Sequence, residues 1–304
     1  MIVVTAGKTY LDIDAYASML AYRELLRATT SEGVYAFSDA VVNQTVPPML
    51  RDSKYVLDKK PTGIGSANII LVDVSDPEYF EEFVDESRIL EIIDHHPGHE
   101  NYWNKRTTIK SQIEAIGAVC TQVYEKFVES GRIDLLDKKL CQLLVAGILD
   151  NTINLKSKIT NERDQKAYQD LMKLGMLSDD FGRKYFEACE REQMKNLKSA
   201  ILGDIKTKCK SPSPLPNAIG QIILFNRDRI TQDLLNDIFT DYDRWMINII
   251  SLEDGRSYLY CDSEETKAGL EKLFNIKSNH DKLVVLDNFI LRKEILKRAI
   301  EFNQ

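Results

Sequence analysis

The feature of this chain that most constrains its fold is a series of four short, nearly uninterrupted apolar runs within its first hundred residues. Longer stretches separate the runs, and one of them, residues 15–27, has apolar residues at helical spacing. Buried parallel strands are continuously apolar because helices cover both faces of their sheet. The sequence therefore predicts an α/β fold with an N-terminal parallel sheet flanked by helices. The four predicted strands lie at residues 2–5, 34–37, 68–74 and 89–93.

The chain changes character after a charged helical stretch at residues 184–194, which contains neither glycine nor proline. At 304 residues the chain is long enough for two separate cores. We expect a first domain over residues 1–188 and a smaller C-terminal α/β domain over residues 195–304, with a hinge between them. The strands predicted for the second domain lie at residues 220–225, 245–252 and 258–261.

Charge and cysteine content limit the partners and the compartment. With 40 basic and 47 acidic residues the chain has a formal net charge of −7, which disfavours general binding to nucleic-acid backbones. The five cysteines form no Cys-x-x-Cys pair, so neither a disulfide framework nor a zinc ribbon is expected. We expect no basic leader, and no apolar stretch in the sequence is as long as a membrane span. We expect a cytoplasmic protein that binds neither nucleic acid nor membranes.

Carboxylate and imidazole side chains follow apolar runs at four places in the chain. Ligands of open parallel sheets bind outside the carboxyl ends of the strands, so one edge of the predicted sheet would gather most of these side chains. Oxygen and nitrogen ligands suit divalent ions such as Mn²⁺, Mg²⁺ or Co²⁺. Two ions about 3.5–4 Å apart would acidify a shared water and hold the oxygens of a phosphoryl group. The candidate residues are Asp12 and Asp14, Asp73, Asp94 with His95 and His96, and Asp150.

Each candidate also has an ordinary structural interpretation. Aspartates that follow strands are common helix N-caps, and Asp14 or Asp150 taken alone fits that role. A histidine pair such as His95 and His96 can be a hydrogen-bonded feature of a loop. The coincidence of four clusters at suitable places favours a metal or phosphate site.

At these positions the sequence resembles the DHH phosphoesterase superfamily, whose name is its Asp-His-His signature, here Asp94-His95-His96. Residues 7–15, 71–76, 94–121 and 147–164 resemble its four motifs in order. The second half resembles the smaller, DHHA2-like domain of family II (manganese-dependent) inorganic pyrophosphatases and of prune-like exopolyphosphatases. The resemblance thus covers most of the chain.

The resemblance implies a metal-binding role for five residues. Asp12 would ligate one ion and Asp14 the other, with Asp73 bridging them. His95 and Asp150 would complete the shell of the second ion. Mn²⁺ is the expected metal, with Mg²⁺ or Co²⁺ as alternatives, in one or two ions.

It also implies residues that act around the metal. Asp94 would orient the two imidazoles, and His96 would contact the phosphate of the substrate. Lys206, Arg292 and Lys293 would bind phosphate oxygens, the arginine as a fork and each lysine as a point charge. The alternative for the two residues at 292 and 293 is an exposed basic face of a helix.

One departure from the family pattern concerns Lys8, which stands where the pyrophosphatases carry a metal-binding histidine. An ammonium group has no lone pair and cannot ligate a cation. Lys8 could point away from the metals, or it could replace the charge of one ion and bind the substrate. As a third alternative, it could mark a site that binds its ligand but has lost turnover.

The resulting functional hypothesis is a metal-dependent phosphoanhydride hydrolase that converts pyrophosphate and water to two phosphates. The alternatives are an exopolyphosphatase, a nucleoside-polyphosphate phosphohydrolase, or a catalytically impaired phosphate- or nucleotide-sensing protein, the last because of Lys8. A single-strand exonuclease conflicts with the acidic balance. The expected partner is a small phosphoanhydride. The resemblance makes a homodimer possible, but the sequence leaves the oligomeric state open.

Overall fold

A computed structural model describes residues 1–52, 54–206 and 215–302 of the chain. The chain forms two compact units, Met1–Tyr185 and Phe186–Gln304. The division between them falls within a helix, Phe181–Lys195, which includes the charged stretch noted in the sequence.

The first unit is built on a five-stranded sheet in which every neighbouring pair is parallel. Its spatial order is β2-β1-β3-β4-β5. The four apolar runs form the first four strands, which confirms the predicted N-terminal parallel sheet. The strands are β1 (Ile2–Thr5), β2 (Val34–Ala36), β3 (Asn68–Val72), β4 (Ile89–Asp94) and β5 (Lys110–Ile113).

Helices connect and flank these strands. The helix that follows β1 and the helix that contains Asp150 are buried over most of their length, because apolar residues occupy nearly every turn. The helices are α1 (Ile13–Thr29), α2 (Pro48–Arg51), α3 (Glu100–Asn104), α4 (Val119–Glu129), α5 (Lys138–Asn151), α6 (Glu162–Leu174) and α7 (Phe181–Lys195).

The second unit is a smaller α/β domain, as the sequence predicts. Its sheet is mixed and four-stranded, of order β6-β7-β8-β9, and β9 was not among the predicted strands. The first pair of strands is parallel and the other two pairs are antiparallel. Its elements are α8 (Leu197–Gly203), β6 (Ala218–Leu224), α9 (Gln232–Ile238), β7 (Trp245–Ser251), β8 (Arg256–Cys261), α10 (Glu264–Phe274), β9 (Leu283–Leu286) and α11 (Arg292–Phe302).

Gly255 closes the predicted hairpin between β7 and β8. Its φ is +70°, a backbone conformation that glycine adopts without a steric penalty. Within the described ranges, none of the helices combines the length and the apolar character that a membrane crossing requires.

Candidate metal centre

The carboxyl ends of β3 and β4 bring together two of the predicted clusters, Asp73 and the Asp94-His95-His96 segment. Val72 and Ile93 are register partners in this parallel pair. Asp73 follows β3 directly, and its N–H donates to Ile93 O at 2.9 Å. Asp94 ends β4, and His95 comes next. The parallel register therefore places Asp73 and His95 at the same edge of the sheet.

Asp73, His95 and His96 form a compact group of ligand atoms. One such atom from each residue lies within 4.8 Å of the others. Asp73 Oδ1 is 3.3 Å from His95 Nε2 and 3.7 Å from His96 Nδ1. The side chains of Asp73 and His95 are only 7% and 2% exposed, whereas that of His96 is 50% exposed. The group thus has two buried side chains and one that solvent reaches.

The hydrogen bond at the far side of the His95 ring indicates its tautomer. His95 Nδ1 lies 3.2 Å from Ile116 O, and a carbonyl oxygen only accepts. Nδ1 therefore carries the hydrogen, and the lone pair of Nε2 points toward the Asp73 carboxylate. Two acceptors at 3.3 Å attract one another only through a shared proton or cation. A neutral imidazole beside a carboxylate fits a divalent ion such as Mn²⁺.

Asp94 accepts hydrogen bonds from both histidines. Its Oδ1 accepts hydrogen bonds from the backbone N–H of His95 (2.7 Å) and of His96 (3.2 Å), and from His96 Nδ1 (2.8 Å). Burial alone would raise the pKa of this carboxyl, but the charges of the His96 and His95 imidazoles and the hydrogen bonds from the side chains of His96 and Ser75 hold the pKa below its usual value. Asp94 therefore fixes the backbone turn that presents both rings.

Asp12 and Asp14 lie at the start of α1 and outside the group formed by Asp73, His95 and His96, here called the Asp73 group. Asp12 is the N-cap, and its side chain accepts from Ala15 N at 3.0 Å. Asp14 is fully buried and accepts from three donors, namely Val119 N (2.8 Å), Cys120 N (2.7 Å) and Asn151 Nδ2 (2.7 Å). Two of these donors are the first free N–H groups of α4, so this carboxylate caps a helix other than its own.

Burial dominates the electrostatics of Asp14. Together with the charge of Asp12, it raises the pKa of the Asp14 carboxyl to about 7, although the bonds from Cys120 and Val119 act in the opposite direction. Burial of the Cys120 thiol, together with the charge of Asp14, raises the pKa of this thiol well above its usual value. Asp14 is therefore a group whose charge a nearby cation would stabilise.

Asp150 lies in the last turn of α5 and also outside the Asp73 group. Its Oδ1 accepts from the hydroxyl of Tyr185 at 2.9 Å, and the same hydroxyl lies 2.9 Å from Thr45 O. The next residue, Asn151, bonds to Asp14. The end of α5 thus connects two of the predicted ligands through adjacent residues.

Lys8 is exposed, and its backbone rather than its side chain determines its place. Its N–H donates to Tyr79 O at 2.9 Å, and Gly7 pairs with Phe80 in an antiparallel bridge. The loop that carries Lys8 is thereby attached to the segment that follows Asp73.

Three of the residues predicted to bind phosphate belong to the second unit, namely Lys206, Arg292 and Lys293. Arg292 is only 7% exposed, and its Nη2 lies 2.8 Å from Asp204 Oδ1. Its Nη1 donates to Asp204 O and to Ile219 O, the latter at 3.3 Å. Lys206 pairs with the same Ile219 through two backbone bonds of 3.1 Å, while its side chain is exposed. Lys293, next to Arg292, is half-buried. The alternative of an exposed basic face is therefore wrong for Arg292.

Sequence reasoning missed several groups that hold the candidate ligands. Asn151 and Tyr185 bond to Asp14 and Asp150, and Ile116 O bonds to His95. Asn151 had a signal, since it adjoins Asp150. The carbonyl of Ile116 had none, because every residue carries the same backbone oxygen.

Comparison with known proteins agrees with the family resemblance. Residues 2–148 match the DHH family, N-terminal domain. A probable manganese-dependent inorganic pyrophosphatase of Lactobacillus helveticus is 27% identical over 238 residues, which cover 74% of this chain and 74% of that protein. The manganese-dependent inorganic pyrophosphatase of Methanothrix thermoacetophila is 22% identical over 313 residues, with 97% and 94% covered. The resemblance drawn from the motifs is confirmed.

Solved structures agree on the fold. A proposed family II inorganic pyrophosphatase of Methanococcus jannaschii superposes with a TM-score of 0.69 at 21% identity, covering 99% of this chain and all of that one. An exopolyphosphatase-related protein of Bacteroides fragilis gives a TM-score of 0.54 at 17% identity, covering 99% and 92%. The α/β architecture of both units is therefore that of known proteins.

Proposed function

We propose that this chain is a divalent-metal-dependent phosphoanhydride hydrolase whose preferred substrate is inorganic pyrophosphate. Its residues 2–148 match the DHH family, N-terminal domain. The observation that carries the proposal is the pairing of Asp73 Oδ1 with His95 Nε2 at 3.3 Å. The names of the relatives, manganese-dependent inorganic pyrophosphatases, support both the substrate and the metal.

The metal would be held first by Asp73 and His95, with Asp12, Asp14 and Asp150 as the further proposed ligands. Mn²⁺ is our first choice, and Mg²⁺ and Co²⁺ are alternatives. When bound, a divalent ion supplies Lewis acidity toward phosphate oxygens and lowers the pKa of bound water.

The chain's own side chains would supply orientation and charge. Asp94 holds His95 and His96 in place through bonds of 2.7–3.2 Å. His96 donates its Nδ1–H to Asp94 and is half exposed, and in this proposal its Nε2 would contact an incoming phosphate from solvent. The proposed phosphate ligands of the second unit remain Lys206, Arg292 and Lys293. Their positive charge would offset the negative charge of the substrate.

A non-catalytic sensor of phosphate or nucleotide is the second candidate, and Lys8 is the observation that favours it. Lys8 is exposed and stands where the family pattern has a metal ligand. A site with fewer ligands could retain anion binding without turnover.

Phosphate release separates these candidates. The purified chain is incubated with Mn²⁺, Mg²⁺ or Co²⁺ and with pyrophosphate, tripolyphosphate or a nucleoside triphosphate. We expect Mn²⁺-dependent release that is fastest from pyrophosphate. We also expect Asp73→Asn to abolish it, and Glu78→Gln, which alters an exposed carboxylate in the following turn, to retain it.

The opposite outcomes decide between the alternatives. Faster release from tripolyphosphate or the nucleotide would replace pyrophosphate as the substrate. Tight pyrophosphate binding without release under any metal would support the sensor. Cleavage of a short labelled RNA in the same assay would instead support an exonuclease and contradict the proposal.

A further inference from the structure

We propose that Asp164 is a positioning residue that fixes the tautomer and ring orientation of His95 through one peptide group. The inference rests on the proposed metal-dependent function, since it assigns a supporting residue to a proposed metal ligand. Asp164 acts on His95 through the backbone that lies between them.

The peptide bond between Ile116 and Gly117 is hydrogen-bonded at both of its ends. Its carbonyl, Ile116 O, accepts from His95 Nδ1 at 3.2 Å. Its amide, Gly117 N, donates to Asp164 Oδ2 at 3.0 Å. A peptide group is planar and rigid, so an oxygen and an amide hydrogen on the same plane cannot be moved independently. The carboxylate that holds the amide therefore also determines where the carbonyl meets the imidazole.

Charge strengthens this chain of bonds. A hydrogen bond to a carboxylate polarises the amide that donates it, and the polarised peptide becomes a better acceptor at its oxygen. A better acceptor at Ile116 O favours the tautomer of His95 that carries hydrogen on Nδ1. That tautomer leaves the lone pair of Nε2 toward Asp73, as metal ligation requires.

Asp164 is well suited to hold this peptide still. It is fully buried in the first turn of α6, and the capping box with Asn161 fixes its backbone. Its carboxylate accepts from three donors, namely Gly117 N, Asn161 N at 3.0 Å and Thr121 Oγ1 at 2.7 Å. The bonds from Gly117 and Thr121 join the start of α6 to the segment just before α4 and to the first turn of α4.

Gly117 permits the close approach on which the chain of bonds depends. A Cβ at this position would lie 2.6 Å from Asp164 Oδ2 and 2.6 Å from Thr152 Cγ2, which is too close for either atom. Any side chain here would push the peptide away from Asp164, and Ile116 O would move with it.

A purely structural role for Asp164 predicts different results, and Thr121→Val is the matched control. This variant removes one of the three bonds to Asp164 but leaves the bond to Gly117 in place. If Asp164 only ties α6 to its neighbours, Asp164→Ala and Thr121→Val differ in stability alone. If Asp164 positions His95, only Asp164→Ala changes the imidazole.

The test reads the imidazole directly in the metal-free protein. Long-range ¹H–¹⁵N spectra report which ring nitrogen carries hydrogen, and the chain has only four histidines, so His95→Gln assigns the signal. We expect hydrogen on Nδ1 of His95 in the wild type and in Thr121→Val, and a mixture that includes the form without hydrogen on Nδ1 in Asp164→Ala. We also expect Asp164→Ala to weaken Mn²⁺ binding by about 10–100-fold, as mutation of a residue that supports a metal ligand typically does. Asp164→Asn retains an acceptor for Gly117 and should recover most of the affinity.

An unchanged His95 tautomer and unchanged Mn²⁺ affinity in a folded Asp164→Ala would overturn the inference. Should that variant not fold, Gly117→Ala displaces the same peptide with Asp164 intact. It should weaken Mn²⁺ binding in the same way, and wild-type affinity in this variant would also overturn the inference. Absence of phosphate release in every variant would contradict the proposed function alone, because neither spectra nor metal binding depend on turnover.

Discussion

His95 Nε2 lies 3.3 Å from Asp73 Oδ1, at the ends of two neighbouring parallel strands. The opposite nitrogen of the same ring is bonded to Ile116 O. The lone pair of Nε2 is therefore directed at a carboxylate, an arrangement that needs a positive charge between the two atoms. This relationship is the physical basis of the proposed metal centre, and the following predictions examine the residues around it.

The stability of the metal-free protein should depend on the charge of Asp14. Its pKa is raised from 3.8 to about 7, so between these values the folded chain binds more protons than the unfolded chain. Its contribution to the free energy of unfolding is therefore lost as pH rises from about 4 to about 7. Urea unfolding in EDTA across this range should show a shallower pH dependence for Asp14→Asn. Asp179→Asn, which alters an exposed aspartate, should keep the wild-type slope, and an unchanged slope in Asp14→Asn would contradict this prediction.

Lys8→His should raise the metal content per chain. The substitution places an imidazole where the family pattern has a ligand, and it removes an ammonium that repels cations. Metal analysis after equilibration with Mn²⁺ and desalting measures the content. Lys158→His, at another exposed lysine, should leave it unchanged. Equal metal content in both variants would mean that Lys8 lies outside the metal shell or that the first motif is misaligned.

Gly147→Ala should destabilise the first unit. A Cβ at this position would collide with Cys120 Sγ and lie 3.3 Å from Asp14 Cα, and overpacking of this kind costs about 1–3 kcal/mol. Cys120→Ala removes the colliding sulfur, so the double variant should recover part of the loss, as a double-mutant cycle in urea would show. Gly203→Ala is the control, since its Cβ would meet nothing within 4 Å. Additive losses in the cycle would show that the two sites do not touch.

Arg292→Lys should lower the stability of the second unit by about 1–3 kcal/mol, because an ammonium cannot reproduce the forked bonds to Asp204 and Ile219. Arg229→Lys, at an exposed arginine, should be nearly neutral. Thermal unfolding compares the two variants. Equal midpoints would indicate that the guanidinium of Arg292 contributes little to the fold and is held there for another purpose.

Much of the fold follows from local patterns in the sequence. The strands β1 to β4 are continuous apolar runs, and their parallel order predicts that Asp73 and His95 meet at one edge. The strand β5 (Lys110–Ile113) gave no such signal, because it is a polar strand at the edge of the sheet and its residues are half-buried or exposed. The apolar pattern of a strand in the sequence reflects how far its side chains are buried, and the side chains of an edge strand are little buried.

The supporting contacts of the candidate site were harder to predict for physical reasons. The bond from His95 to Ile116 uses a backbone oxygen, and the bond from Gly117 to Asp164 joins residues far apart in the chain. Arg292 has the sequence pattern of an exposed helical residue, yet Asp204 and two carbonyls bury its guanidinium. Contacts of these kinds depend on the tertiary structure, which residue spacing alone does not determine.

Anomalous diffraction at the manganese absorption edge, from crystals equilibrated with Mn²⁺, tests the proposed metal centre most directly. We predict an anomalous peak within bonding distance of a carboxylate oxygen of Asp73 and of His95 Nε2, which disappears in crystals of Asp73→Asn. Peaks confined to other parts of the surface, or a wild-type map with no peak at these two residues, would contradict the proposed metal centre.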